Sequence, residues 1–196
     1  GYLLVALRIG LAVWFSASGI RSGDKVQMHR YMAMLLLFLA KIVFWGMFEQ
    51  AGSSLNFFAR DYVDAPFDFT LFQSANPVFI ILLGPLFAWL WPRLEGLRLN
   101  PSIPRKFGIA LLLVALGFAV LVYGIGNLRD AAGKVPWAVL ASCYLINTMG
   151  ELCLSPIGLS MVTKLAAARD VGMAMGAWFM CTALGNFSAG AIASLA

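Results

Sequence analysis

Three ionisable side chains interrupt long apolar stretches of the chain: Lys41, Glu49 and Glu151. A charged group in apolar surroundings is costly, so each of them predicts a partner, a water-filled path or a ligand. Glu151 is the most informative, because Asn147, Glu151 and Ser155 are spaced four apart and so share one helix face. This face predicts either a ligand site, in which the carboxylate binds an ammonium group or exchanges a proton, or a static hydrogen-bond network between helices.

A second polar stripe has the same spacing and contains Lys41, Trp45, Glu49 and Ser53. Lys41 and Glu49 are two helical turns apart, which is too far for a direct pair on one helix. We therefore predict that Glu49 meets a cation on another helix, as a static buried pair or as a carboxylate whose protonation changes. Lys41 is expected to snorkel or to pair with an acid rather than to bind a ligand.

Two further stripes carry fewer ionisable groups. Trp178, Thr182 and Asn186 are spaced four apart, and this pattern suits either helix packing or the wall of a pocket. Gln73 and Asn76 are three apart and form a weaker polar face.

The sequence lacks the motifs of catalysis and metal binding. It contains no GxSxG, HExxH, GxGxxG or Walker pattern, and His29 is its single histidine. Cys143, Cys153 and Cys181 lie in apolar segments without CxxC spacing and are predicted to be buried thiols. We therefore predict no enzyme activity, no metal site and no cofactor, with recognition and proton exchange as the available chemistry.

Composition indicates what kind of protein must position these residues. Of the 196 residues, 61% are hydrophobic and 12% charged, and the mean hydropathy is +0.85. Soluble domains are about 45–50% apolar and about 25% charged. A soluble enzyme, a disordered chain and a disulfide scaffold are excluded. The net charge of +5 comes from scattered basic residues without a basic patch, so no nucleic-acid partner is expected.

The apolar residues form six stretches of about 20 residues, the length that a helix needs to cross a bilayer of ~30 Å. These stretches predict an all-α membrane protein, and the second is long enough to extend beyond the bilayer or to tilt. They cover residues 2–20, 31–58, 70–91, 105–125, 136–160 and 171–195.

The loops between these stretches predict an orientation. Nine lysines and arginines lie in loops 21–30, 92–106 and 164–170, whereas loops 59–69 and 126–135 contain three. Because positive loops face the cytoplasm, the first set is predicted to be cytoplasmic.

Four segments of the sequence closely resemble one transporter family. They are FEQAGSSLNFFA (48–59), FQSANPVFI (72–80), GELCLSPIGLSMVTKLA (150–166) and MGAWFMCTALGN (175–186). These segments are similar to the proton-dependent oligopeptide transporters of the major facilitator superfamily, in family order over residues 30–196. The family likeness is specific, since four long segments match together.

The resemblance implies that the chain is the C-terminal bundle of a twelve-helix prokaryotic transporter. Segments two to six would be transmembrane helices 7 to 11, within a unit of residues 26–196. Residues 1–25 would hold the second helix of the hairpin inserted between the two bundles, followed by a cytoplasmic loop. Helix 12 and the N-terminal bundle would be absent, and Gly1, which is not a start residue, agrees with a stretch of a longer protein.

The resemblance also implies roles for individual residues in substrate binding. Glu151 matches the glutamate that receives the amino terminus of the peptide, and Asn76 matches an asparagine that binds peptide backbone. Thr182 stands where several members have serine, which keeps the hydroxyl. The remaining matches to the pocket are Ser155, Trp45, Phe48 and Trp178, and Asn147 joins them as a member of the Glu151 stripe.

Two acids match residues outside the peptide pocket. Glu49 corresponds to the helix 7 acid that pairs with a basic residue of the N-terminal bundle, and we predict that it couples transport to protons. Asp61 corresponds to an acid of the outer gate that pairs with an arginine on helix 2.

The implied function is proton-coupled symport of di- and tripeptides across the inner membrane by alternating access. The protein would be a monomer in which this bundle packs against its own N-terminal bundle within the lipid bilayer, and its coupling ion would be the proton. Two alternatives stay open: a family member that moves nitrate or a drug-like amide, and a peptide-sensing membrane receptor that does not transport.

Overall fold

The computed structural model of the chain describes residues 2–21 and 23–195. The prediction about Gly1 lies outside the described residues. Seven α-helices are described in these ranges: α1 (Tyr2–Arg21), α2 (Lys25–Phe48), α3 (Ser54–Tyr62), α4 (Ala75–Gly96), α5 (Ile103–Asn127), α6 (Trp137–Leu165) and α7 (Val171–Ala193). Short 3-10 helices span Glu49–Gly52, Phe69–Ser74 and Ala168–Asp170, and two short strands are β1 (Val63–Asp64) and β2 (Val135–Pro136).

The predicted all-α membrane fold is confirmed. Each of the six predicted apolar stretches lies in a helical region. Within residues 2–21 and 23–195, four helical regions are long and apolar enough to cross a membrane: Lys25–Tyr62, Phe69–Gly96, Ile103–Asn127 and Trp137–Leu165.

Local residue chemistry accounts for the helix starts. The Asp24 carboxylate caps α2 by accepting a bond from the backbone N–H of Val26 at 2.8 Å. Asp68 does the same for the segment leading into α4, where it accepts from the N–H of Thr70 at 2.9 Å. Pro104 lies in the first turn of α5, where a missing N–H costs nothing.

The stretch predicted as one helix over 31–58 is interrupted, and that prediction was wrong in this respect. Regular helix ends at Phe48, the 3-10 turn Glu49–Gly52 follows, and α3 resumes at Ser54. Gly52 is a poor helix former, and serines compete for backbone hydrogen bonds. The Ser53 hydroxyl donates to the carbonyl of Glu49 at 3.3 Å.

Two pairs of loops meet on separate sides of the bundle, in the grouping that the charge pattern predicted. On one side β1 and β2 pair in parallel, with Val63 opposite Val135, which joins loops 59–69 and 126–135. On the other side Gln27 Nε2 donates to the carbonyl of Leu165 at 3.0 Å. We call the side of the strands the outer side and the side of Gln27 the inner side.

Small residues allow two close helix pairs, α5 with α6 and α2 with α7. A Cβ atom on Gly124 would lie 2.3 Å from a methyl carbon of Val139, and one on Gly185 would lie 2.5 Å from Trp45 Cβ. The described cysteines are free thiols and buried, as predicted from their apolar surroundings: Cys143, Cys153 and Cys181.

Candidate functional site

The centre of the candidate site is a hydrogen bond between α4 and α6. Asn76 Nδ2 donates to Glu151 Oε2 at 2.9 Å, and the pair is partly buried. Glu151 lies in the middle of α6, whereas Asn76 lies in the first turn of α4. The two residues come from separate predicted stripes, and the fold brings them together.

Glu49 lies close to this pair, at the beginning of the 3-10 turn. Its half-buried carboxylate is near enough to Glu151 for the two negative charges to repel each other. Among the described residues, no lysine, arginine or histidine lies within ion-pair distance of either acid. The site therefore holds two acids at membrane depth without an ion-pair partner among the described residues.

Gln50, beside Glu49, fixes the turn to α7. Its side chain is 3% exposed, and Nε2 donates to the carbonyls of Gly46 at 3.1 Å and Ala189 at 3.2 Å. The Ser54 hydroxyl donates to Gln50 Oε1 at 2.8 Å. The position of the Glu49 backbone is thus set by α2, α3 and α7 together.

Asn147, predicted to share a face with Glu151, packs against α5 instead of α4. It is 4% exposed, and its Oδ1 would lie 2.3 Å from a Cβ atom on Gly117. Nδ2 contacts Cys143 Sγ at 3.7 Å, and Oδ1 is buried without a hydrogen-bond partner among the described residues. Ser155, one turn beyond Glu151, is half-buried.

Trp178 lies in the interior of the bundle. It is 2% exposed, and the Lys41 ammonium lies 3.6 Å from the centre of its ring and donates to its carbonyl at 2.8 Å. The opposite contact is equally tight, because a Cβ atom on Gly158 would lie 2.0 Å from the ring. This placement supports a packing role, and a pocket-wall role for Trp178 stays a prediction.

Three aromatic residues lie in the last turns of α2, directly before Glu49. Trp45 meets Phe48 edge to face, with 5.3 Å between ring centres, and Phe44 stacks on Phe48 at 5.5 Å. The indole N–H of Trp45 is buried without a hydrogen-bond partner among the described residues. Thr182 is half-buried on α7. The pocket roles of Trp45, Phe48 and Thr182 stay predictions.

Asp61, the predicted gate residue, forms an exposed ion pair within this chain. Both of its carboxylate oxygens accept from the neighbouring Arg60, at 2.7 and 2.9 Å. A partner in another bundle would therefore have to compete with Arg60.

Sequence reasoning missed four contacts, in the candidate site and elsewhere in the bundle. Lys41 was predicted to snorkel or to pair with an acid, but it is 3% exposed and its ammonium lies on Trp178. The carbonyl of Ala51 accepts from two side chains, Gln73 and Tyr144. On the inner side the Tyr31 hydroxyl donates to Asp170. Lys41 stands out in the sequence as a charge within an apolar stretch. The contacts of the Ala51 carbonyl and the Tyr31 hydroxyl join residues far apart in the chain and leave no such signal.

This arrangement can bind a cation and hold a proton. Its acids have an amide donor and aromatic neighbours, but the described residues contain no group of three or more His, Cys, Asp or Glu side chains placed to hold a metal ion. Bundled membrane helices around a half-buried carboxylate pair define a membrane protein with a polar site at membrane depth.

Comparison with known proteins identifies the family. A model described as the POT family matches residues 4–196, so the chain belongs to the proton-dependent oligopeptide transporter (POT) family. It is therefore a multi-pass protein of the cell membrane, which is the inner membrane in bacteria that have two.

Named relatives agree with this assignment. A peptide transporter of Yersinia enterocolitica is 43% identical over 83% of this chain and 33% of its own length. Dipeptide and tripeptide permease A of Erwinia pyrifoliae is 34% identical over 98% of this chain and 39% of its own length. The chain is also similar to a crystal structure of a mutant of the peptide transporter POT in complex with alafosfalin. The two sequences are 33% identical, and the TM-score is 0.86 over 100% of this chain and 41% of that one. The chain thus spans between a third and about two fifths of these proteins.

Proposed function

We propose that this chain is the C-terminal bundle of a proton-coupled symporter of di- and tripeptides. The observation that carries the proposal is the half-buried pair of acids, Glu49 and Glu151, without a cation within ion-pair distance among the described residues. Desolvated negative charge in a membrane requires compensation. A peptide ammonium group and a proton supply it together.

Glu151 is the proposed receptor for the peptide amino terminus. Its Oε2 accepts the Asn76 amide at 2.9 Å, which fixes the carboxylate and leaves Oε1 for an ammonium group. The side-chain carbonyl oxygen of Asn76 would then accept hydrogen bonds from peptide backbone N–H groups. Charge-assisted bonds of this kind are about twice as strong as neutral ones.

Aromatic and hydroxyl side chains complete the proposed pocket. Trp45 and Phe48 lie on the turn of α2 that leads to Glu49, and they supply apolar surface. Thr182 and Ser155 supply hydroxyl groups from α7 and α6. Trp178 and Asn147 would support the pocket from the interior of the bundle, since both are almost fully buried.

Glu49 is the proposed coupling residue, and Asp61 the proposed gate residue. A coupling carboxylate must be charged in one state and neutral in another, which requires a cation that approaches and leaves. The family resemblance implies such a cation in the N-terminal bundle. Movement of one bundle against the other then changes the surroundings of both acids within a monomer.

The proposal is tested with the full-length transporter in proteoliposomes. Counterflow of a labelled dipeptide and its accumulation under an imposed pH gradient are both expected. Binding without exchange would instead identify a receptor, and exchange limited to nitrate or a drug-like amide would identify a non-peptide carrier.

A further inference from the structure

The carbonyl oxygen of Ala51 lies in the 3-10 turn that separates α2 from α3. It accepts hydrogen bonds from Gln73 Nε2 at 3.0 Å and from the Tyr144 hydroxyl at 3.2 Å. An interrupted helix in a membrane needs such donors, because lipid offers no hydrogen bonds to freed backbone groups. Two separate segments thus hold one carbonyl of the turn.

Both donors come from the segments that carry the candidate peptide site. Tyr144 lies on α6, about two turns before Glu151. Gln73 lies in the 3-10 helix that leads into α4 and precedes Asn76 by one turn. Ala51 itself follows Glu49 by two residues. The shared carbonyl therefore connects the segment of Glu49 to the two segments that carry Asn76 and Glu151.

The two donors are themselves held in place. Tyr144 is 4% exposed, and its ring stacks on Phe72 with 6.2 Å between ring centres, which fixes the direction of the hydroxyl. Gln73 Nε2 also donates to Asn56 Oδ1 of α3 at 2.9 Å, so its amide bridges the turn and the helix after it.

We propose that Tyr144 and Gln73 are positioning residues for proton coupling. They hold the turn so that the Glu49 carboxylate stays beside the Asn76–Glu151 pair, and they transmit a shift of α6 or α4 to the Glu49 segment when peptide binds. Neither residue needs to touch the peptide or the proton. The inference rests on the proposed function, because it assigns the means by which that function couples its two ligands.

Tyr144→Phe tests the inference in the full-length transporter, since it keeps the ring stack and removes only the hydroxyl. The ratio of proton-driven accumulation to counterflow is expected to fall roughly fivefold, as for the loss of one hydrogen bond. Hydrogen exchange at the amides of residues 49–56 should rise by a similar factor, while dipeptide affinity stays within about twofold of the parent. Tyr123→Phe is the matched control, because Tyr123 is 64% exposed on α5.

Gln73→Met provides a second variant that removes the other donor at similar length. It should change the same two quantities in the same direction. Unchanged exchange at residues 49–56 in both variants would overturn the inference, as would weaker dipeptide binding at an unchanged coupling ratio. A parent protein that moves no peptide would overturn the proposed function. Hydrogen exchange needs no transported substrate, so it would still decide whether these two residues hold the turn.

Discussion

Glu151 combines two features that a peptide-binding acid needs. Asn76 occupies one carboxylate oxygen at 2.9 Å, so the orientation of the group is fixed before a ligand arrives. The nearby acid Glu49 adds negative potential, which favours a bound cation over an anion. In the proposed function, a residue with these surroundings would discriminate by charge rather than by shape.

Replacement of Glu151 by glutamine should therefore weaken the binding of free dipeptides. Glu151→Gln keeps the shape of the side chain but removes the charge that compensates a desolvated ammonium group. We expect a loss of ~2–5 kcal/mol of binding free energy, measured by titration calorimetry. A dipeptide blocked at its amino terminus should bind parent and variant alike. Glu95→Gln, which changes an exposed acid at the inner end of α4, is the control, and equal binding of free dipeptide by Glu151→Gln and parent would make Glu151 a structural residue.

Asp61 is expected to act as a latch rather than as a ligand. It lies at the outer end of α3, paired with Arg60 in solvent-exposed geometry, and exposed pairs exchange partners at little cost. Asp61→Asn should bias the transporter toward the outward-open state, seen as faster labelling of a cysteine introduced near the outer gate. Arg60→Gln leaves the carboxylate available to a partner in the other bundle and should not increase labelling. Unchanged labelling in Asp61→Asn would refute the latch.

At the scale of the helices, Trp178 joins three of them. Its ring lies between the Lys41 ammonium of α2 and the backbone of α6 at Gly158, while the residue itself belongs to α7. A cation on an aromatic face inside a membrane gains strength from the absence of water. These contacts stabilise the inner half of the bundle and keep α2 and α7 together.

Gly158→Ala should destabilise this junction. A Cβ atom at position 158 would lie 2.0 Å from two ring carbons of Trp178, and the Lys41 ammonium, 3.6 Å from the ring centre, opposes a shift of the ring. Overpacking of this kind costs ~1–3 kcal/mol, visible as a lower midpoint of thermal unfolding in detergent. Gly108→Ala on α5 is the control, since nothing lies within 4 Å of its added carbon. Equal midpoints for the two variants would show that the ring is not confined.

The helices were predictable because each needs a long apolar stretch, and all six stretches lie in helical regions. The break after Phe48 was not, since GSS is a weak signal that becomes decisive only when Gln50, Gln73 and Tyr144 satisfy the freed backbone. Periodicity placed Asn147 with Glu151, yet successive i,i+4 residues drift by about 40° around a helix. That drift turns Asn147 toward Gly117 while Glu151 meets Asn76.

At the scale of the whole molecule, the proposed function divides the work between the two acids, with peptide bound by Glu151 and the proton by Glu49. Glu151 remains charged when it binds an ammonium group, so it cannot release its site to a proton at the moment when peptide and proton must travel together. Glu49 has no such partner in the described part of this bundle, and a cation supplied by the opposite bundle would reach it in only part of the cycle. Separation of the bundles would favour the neutral acid, and their approach would expel the proton.

Glu49→Gln should therefore uncouple transport without abolishing peptide exchange. Glutamine resembles the protonated acid and cannot release a proton, so accumulation driven by an imposed pH difference should disappear. Counterflow of labelled dipeptide needs no net proton movement and should persist. The difference in proton affinity that this cycle needs is modest, because a roughly hundredfold change corresponds to only ~2.7 kcal/mol. Glu95→Gln controls for the loss of an acid elsewhere in the bundle, and accumulation by Glu49→Gln under a pH gradient alone would place coupling in another residue of the full-length transporter.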